Sequence, residues 1–141
     1  MDTMLKDYQL ALLALVILCC AVMIQSVMTA LLVFTKPTGQ KPGAIKGGPQ
    51  DFSYRVLRTY ANSAENLPAF AAIVIVAIIA SVDPKWVNGL ACAHVGLRLL
   101  FWPIYYSPIG AITPGLRSPV YALALLINFV LGVMTAFAII S

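Results

Sequence analysis

Acidic side chains are nearly missing from this sequence. Five Asp and Glu occur in 141 residues, and all charged residues together reach only 10%. A soluble domain carries about a quarter, so the scarcity excludes a soluble globular protein. Histidine occurs once, as His94, with no second histidine and no carboxylate near it on its helix. That argues against a metal or haem centre and for a packed or hydrogen-bonding imidazole. Three cysteines, Cys19, Cys20 and Cys92, cannot make a disulfide framework and fall inside apolar runs, where thiols behave as small hydrophobes. No Walker or dinucleotide-binding glycine motif is present, and there is neither an internal repeat nor a low-complexity tract. The net charge of +4 is spread over loops and resembles no nucleic-acid-binding surface.

What the chain has instead is apolar length. It is 61% hydrophobic, with a mean hydropathy of +0.91. A spanning helix needs about 20 mostly apolar residues, and four segments qualify, at 10–34, 52–80, 86–106 and 119–140. Backbone groups in hydrocarbon must be satisfied internally, so one antiparallel four-helix membrane domain over residues 1–141 is expected. The first run is too long for a signal peptide and lacks a small-x-small cleavage site, so it reads as a retained helix.

Lys36, Lys41, Lys46, Arg55, Arg58 and Arg117 gather on one side, with only Lys6 and Lys85 on the other. The positive-inside rule then places both termini outside and the first and third loops in the cytoplasm. "TKPTGQKPGAIKGGP" reads as an irregular loop, "SVDPK" as a tight turn, and "SPIGAITPGLRS" as an interfacial connection that cannot be one regular helix.

The second span carries the polar chemistry. Arg55, Arg58, Asn62, Glu65 and Asn66 fall within an arc of about 100° and run straight into the apolar stretch Leu67–Ala80. A carboxylate at membrane depth costs about 2.5–3.5 kcal/mol and normally faces a partner. The third span offers one, since His94, Arg98, Phe101 and Tyr105 share an arc of about 60°. Two facing stripes of this kind suit a small zwitterionic ligand. Arginine forks grip carboxylates, while Glu65 and Asn62 hold an ammonium and amides. Lipid anchoring by Arg55 and Arg58, or a structural clamp of Glu65 with Asn62, is the plainer alternative. A transporter is disfavoured, because no inverted repeats or paired broken helices are seen.

"RVLRTYANSAENLPAF" closely resembles the second-helix signature of the MAPEG proteins (membrane-associated proteins in eicosanoid and glutathione metabolism). Arg55, Arg58, Asn62, Glu65, Pro68 and Phe70 fill its positions. "LRLLFWPIYY", through Arg98, Phe101 and Tyr105, and "GLRSPVYA", through Arg117, are similar to the family's later segments. The resemblance covers the whole chain and looks most like the bacterial-type microsomal glutathione transferases.

It implies a homotrimer binding glutathione as co-substrate between subunits, with no metal. By resemblance, Arg58, Asn62, Glu65 and Tyr105 hold the tripeptide, Arg55 borders it, and Arg98 pairs with Glu65 or a ligand carboxylate, while Asn66 is counted with the binding residues from its place on the polar strip. Arg117 sits beside the thiol as the catalytic residue. The implied activity is that of a transferase or peroxidase acting on hydrophobic electrophiles or lipid hydroperoxides from the membrane. The family also contains non-catalytic members that bind lipid or a partner membrane protein. Phe101 stands where active members often carry Tyr or His. Asn66 replaces the tyrosine of the leukotriene-forming branch. With no eukaryotic retention signal in view, a bacterial inner membrane is the expected location.

Overall fold

The computed structural model of the chain describes residues 2–35, 48–107 and 117–141, without the side chains of residues 2, 33–35 and 117. The two long connections read from "TKPTGQKPGAIKGGP" and "SPIGAITPGLRS", with Lys36, Lys41 and Lys46, lie almost wholly outside the described residues. A short helix α1 (Asp2–Asp7) leads into α2 (Gln9–Thr35). Three further helices follow: α3 (Phe52–Ile79), α4 (Pro84–Tyr106) and α5 (Arg117–Ile140). The last four are long and apolar enough to cross a membrane, and their ends fall within two residues of the sequence-based spans.

Contacts fix the helix directions. Residues early in α2 meet the start of α4, and Gln25, later in α2, meets Tyr106 at the end of α4, so these two run parallel. Ala124 and Tyr121, early in α5, meet His94 and Phe101 of α4, so α5 runs back alongside it. The tight turn makes α3 and α4 antiparallel, and α4 packs against α2, α3 and α5 alike.

That turn has a clear local cause. Val82 N–H donates to Ala77 O at 3.0 Å and Ser81 N–H to Ile78 O at 3.1 Å, the two bonds of a Schellman closure. The closure requires a left-handed residue, and Ser81 takes it at φ 54°. Asp83 then caps α4 by accepting from Lys85 N–H at 2.8 Å, with Pro84 at the first helical position.

The opposite corner of this end is tied by Asn88. Its Oδ1 accepts from Ala11 N–H at 2.8 Å, and its Nδ2 donates to Asp7 O at 2.7 Å. The carboxamide thus replaces the Asp7–Ala11 rung that a continuous helix would make, which is why α1 and α2 are separate elements. Tyr8, at the break, donates its hydroxyl to Val82 O at 2.6 Å.

Tyr8, Ala11, Leu18, Phe70, Val74, Ala77, Val87, Ala91, Val95 and Leu131 belong to one apolar core filling this half of the bundle. Large apolar side chains cover the outer faces of α2, α3 and α5, as contact with lipid demands, whereas the exposed positions of α4 between Trp86 and Leu100 are small (Gly89, Cys92, Ala93, Gly96).

Candidate functional site

The other half of the bundle has a polar interior. Arg55, Thr59, Ser63, Arg98 and Gln25 are all buried there. Thr59 Oγ1 donates back to Arg55 O at 2.7 Å and Ser63 Oγ to Thr59 O at 2.9 Å, so each hydroxyl hydrogen is taken up within α3. The Ser63 oxygen keeps a lone pair, which faces Arg98 Nη2 at 3.4 Å. Arg98 Nη1 donates to Asn62 Oδ1 at 2.9 Å.

Arg98 is 1% exposed and lies over two rings, 5.5 Å from the Phe101 centroid and 5.6 Å from that of Tyr121. Cation–π contact of a desolvated guanidinium contributes on the order of 2 kcal/mol. No carboxylate among the described residues pairs with it. Burial without a counter-ion is costly, and the rings with the two hydrogen bonds offset part of that cost. His94, one turn before Arg98, bonds Ala124 O through Nδ1 at 2.9 Å and stacks on Phe70 at 4.3 Å between ring centroids.

The strip read on the second span is therefore divided. Arg55 turns inward, 6% exposed, and donates to three main-chain carbonyls: Gln50 at 2.7 Å, Pro49 at 3.0 Å and Tyr106 at 3.2 Å. It joins the entry of α3 to the end of α4 through Nε and Nη1. Arg58 and Glu65 point outward and are exposed. The expected pairing of Arg98 with Glu65 does not occur among the described residues. Glu65 lies far round the helix from the buried face, whereas Asn62 and Ser63 border it and take the guanidinium instead. Asn62 and Asn66 are half-buried at the edge of the outward strip. Asn66 Nδ2 donates to Asn62 O at 2.6 Å.

Tyr105 is half-buried beside Phe101, with 5.3 Å between ring centroids. Arg117 is the first residue of α5, and its side chain lies outside the described residues. The facing of α3 and α4 stripes is thus realised through Asn62 and Arg98.

Sequence reasoning missed Ser63, Tyr121 and the Gln25–Tyr106 pair. Gln25 Nε2 donates to Tyr106 Oη at 3.2 Å. The signal for Gln25 was present, as a lone carboxamide within an otherwise apolar span. Tyr121 carried none, because its ring meets Arg98 only through the docking of α5.

Among the described residues, apolar grooves lie along the helices, away from the strip. One of about 240 Å³ lies between α3 and α5 along Ala72, Val76, Gly132 and Ala136, and one of about 170 Å³ between α2 and α4 contains Cys92. Within the single chain Arg58 and Glu65 are exposed.

Comparison with protein families matches residues 9–137, nearly the whole chain, to the family described as the MAPEG family. Comparison with curated proteins returned no match. Comparison with solved structures returned none either.

Proposed function

Since the chain belongs to the MAPEG family and is a multi-pass integral membrane protein, we propose that it is a glutathione-dependent transferase or peroxidase working as a homotrimer. One observation carries this reading. Arg58 and Glu65, of opposite charge, are both exposed on a helix built to cross a bilayer. Each costs about 2.5–3.5 kcal/mol at membrane depth unless something covers it. A neighbouring copy covering this face, with a charged tripeptide seated in the seam, supplies both. Arg58 grips a carboxylate, Asn62 and Tyr105 hold polar groups of the peptide, and Glu65 takes the ammonium.

Arg117 is the residue assigned to the thiol. The thiolate is the nucleophile, and the free thiol has a pKa near about 8.5. A cation within about 4–6 Å lowers such a value by roughly 1–3 units, and a fall of about 2 units makes the thiolate the main species at neutral pH. Its sulfur bonds to the electrophilic carbon as the leaving group departs with the bonding pair. With a hydroperoxide, two glutathiones are oxidised to the disulfide while the peroxide is reduced to an alcohol and water. The bilayer concentrates such apolar substrates beside the sulfur. The lysines and arginines of the first and third loops put the site at the cytoplasmic face, and a bacterial inner membrane suits this arrangement.

Two measurements test the reading. Glutathione raises the melting temperature of the purified protein by mass action, and Arg58→Ala removes that shift. Mixing with glutathione gives a thiolate absorbance that Arg117→Ala abolishes. A melting shift without any thiolate signal would leave a binding protein that does no chemistry. A strip that serves only as a seam between copies, the second reading its exposure allows, gives neither signal, and Arg58→Ala and Glu65→Ala then break the assembly.

A further inference from the structure

Two amides on α3 are fixed in opposite senses by partners whose chemistry works only one way. Arg98 Nη1 lies 2.9 Å from the Asn62 carboxamide. A guanidinium donates and never accepts, so the atom facing it is Oδ1, and the NH2 of Asn62 is left for other partners. Asn66 lies 2.6 Å from the main-chain oxygen of Asn62. A carbonyl oxygen only accepts, so Nδ2 is used there and Oδ1 is left. Both residues are half-buried at the rim of the outward face that holds Arg58 and Glu65.

The groups left over on this face are therefore sorted along the helix. Arg58 and Asn62 Nδ2 are donors towards the N-terminus of α3, and Glu65 and Asn66 Oδ1 are acceptors further on. The centres of the two sets are separated by about 8 Å along the axis at roughly 1.5 Å per residue. The ammonium and carboxylate of one amino-acid head are only two covalent bonds apart, about 2.5 Å. A head group alone does not bridge the charged members, Arg58 and Glu65, which lie about 10 Å apart along the axis at roughly 1.5 Å per residue. A peptide with its ammonium at one end and a carboxylate at the other does.

We propose that Arg98 is a positioning residue: by holding Asn62 Oδ1 it makes Asn62 a donor, and the donor-then-acceptor order selects a peptide zwitterion. The peptide lies along α3 with its far carboxylate at Arg58 and Asn62 and its ammonium at Glu65 and Asn66. This rests on the reading of the strip as a glutathione site and adds direction and selectivity to it.

The test compares melting shifts from three probes: glutathione, its glycine monoethyl ester, and glutathione lacking the α-ammonium. The wild-type protein binds glutathione at least tenfold more tightly than either analogue. Asn62→Asp still offers an oxygen to Arg98, now with the counter-charge its guanidinium lacks, so the unliganded protein melts at or above wild type. It now presents an acceptor where the NH2 stood, so glutathione binding falls tenfold or more and the preference for acid over ester disappears. Arg98→Lys keeps a donor-only cation at Asn62 and retains the preference, while Arg98→Met frees the amide and loses it. Should Arg98→Met fail to fold, Asn62→Asp and Arg98→Lys decide the matter. If Asn62→Asp or Arg98→Met discriminates acid from ester as wild type does, or if the wild type binds both analogues as tightly as glutathione, the positioning role is overturned and the glutathione reading stands. If glutathione itself leaves the wild-type melting unchanged, both fall together.

Discussion

At the end where α3 turns into α4, the polar ties between helices are neutral and complete. Tyr8 closes on Val82, and Asn88 closes on Asp7 and Ala11, above an apolar core. At the opposite end the interior holds Arg55 and Arg98, Gln25 and the hydroxyls of Thr29, Ser53, Thr59 and Ser63. There Arg55 and Arg98 are tied inward, while Arg58 and Glu65, two turns apart on the outer face, are not. The neutral end spends its polar groups on holding the bundle together. The charged end holds itself together and still has a donor set and an acceptor set on its outer face, the surplus from which the proposed binding reading starts.

Substitutions at the two ends sharpen this contrast. Arg55→Ala has the largest expected effect, because three carbonyls lose a charged donor. It costs on the order of 3 kcal/mol, read as a lower unfolding midpoint in detergent. Asn88→Ala follows at about 1–3 kcal/mol, since a first-turn N–H and a carbonyl lose their partner together. It should leave any glutathione-dependent melting shift intact. Equal damage to ligand binding from Asn88→Ala would dissolve the distinction between the ends.

Tyr8→Phe removes one hydrogen bond and costs about 0.5–1.5 kcal/mol. Burial, followed by the nearby charges of Asp7 and Asp83, raises the Tyr8 pKa above its ordinary value of 10.0. The folded state thus keeps a proton that the unfolded chain gives up. The stability from Tyr8 is present in full below pH 10.0 and is lost as pH rises through the folded-state value. The variant should lack this alkaline loss, which a stability profile against pH would show.

Ser81→Gly relieves a left-handed residue at φ 54°. Part of the gain is offset by the added freedom of glycine in the unfolded chain, so stability rises by only about 0.5 kcal/mol. Arg58→Ala is expected to change the unliganded protein least, by less than about 0.5 kcal/mol. A large loss there, measured on the unliganded protein, would make Arg58 a structural residue like Arg55.

Much of this arrangement was legible in the chain. The spans follow from run length, because a hydrocarbon layer admits only helices of that size. The polar strip follows from the helical repeat, which sets the angle of each residue relative to its neighbours on the same helix. The division of Arg55 from Arg58 was not legible. They differ by about 60° around the axis, and the repeat does not say which side of that interval faces the bundle. Of the two partners expected for Arg98, Glu65 or a ligand carboxylate, Glu65 is not met within the chain, because it is attractive by charge while Asn62 and Ser63 are near by packing.

Sequence alone determined a four-span membrane chain of the MAPEG family, with one cation- and amide-bearing helix. Docking of α3 and α5 on α4 decided which arginines are consumed, which way the Asn62 amide turns, and which charges remain outside. The physical reason is that composition and periodicity act within one helix, whereas the direction of a hydrogen bond is set by the atom that another helix brings to meet it.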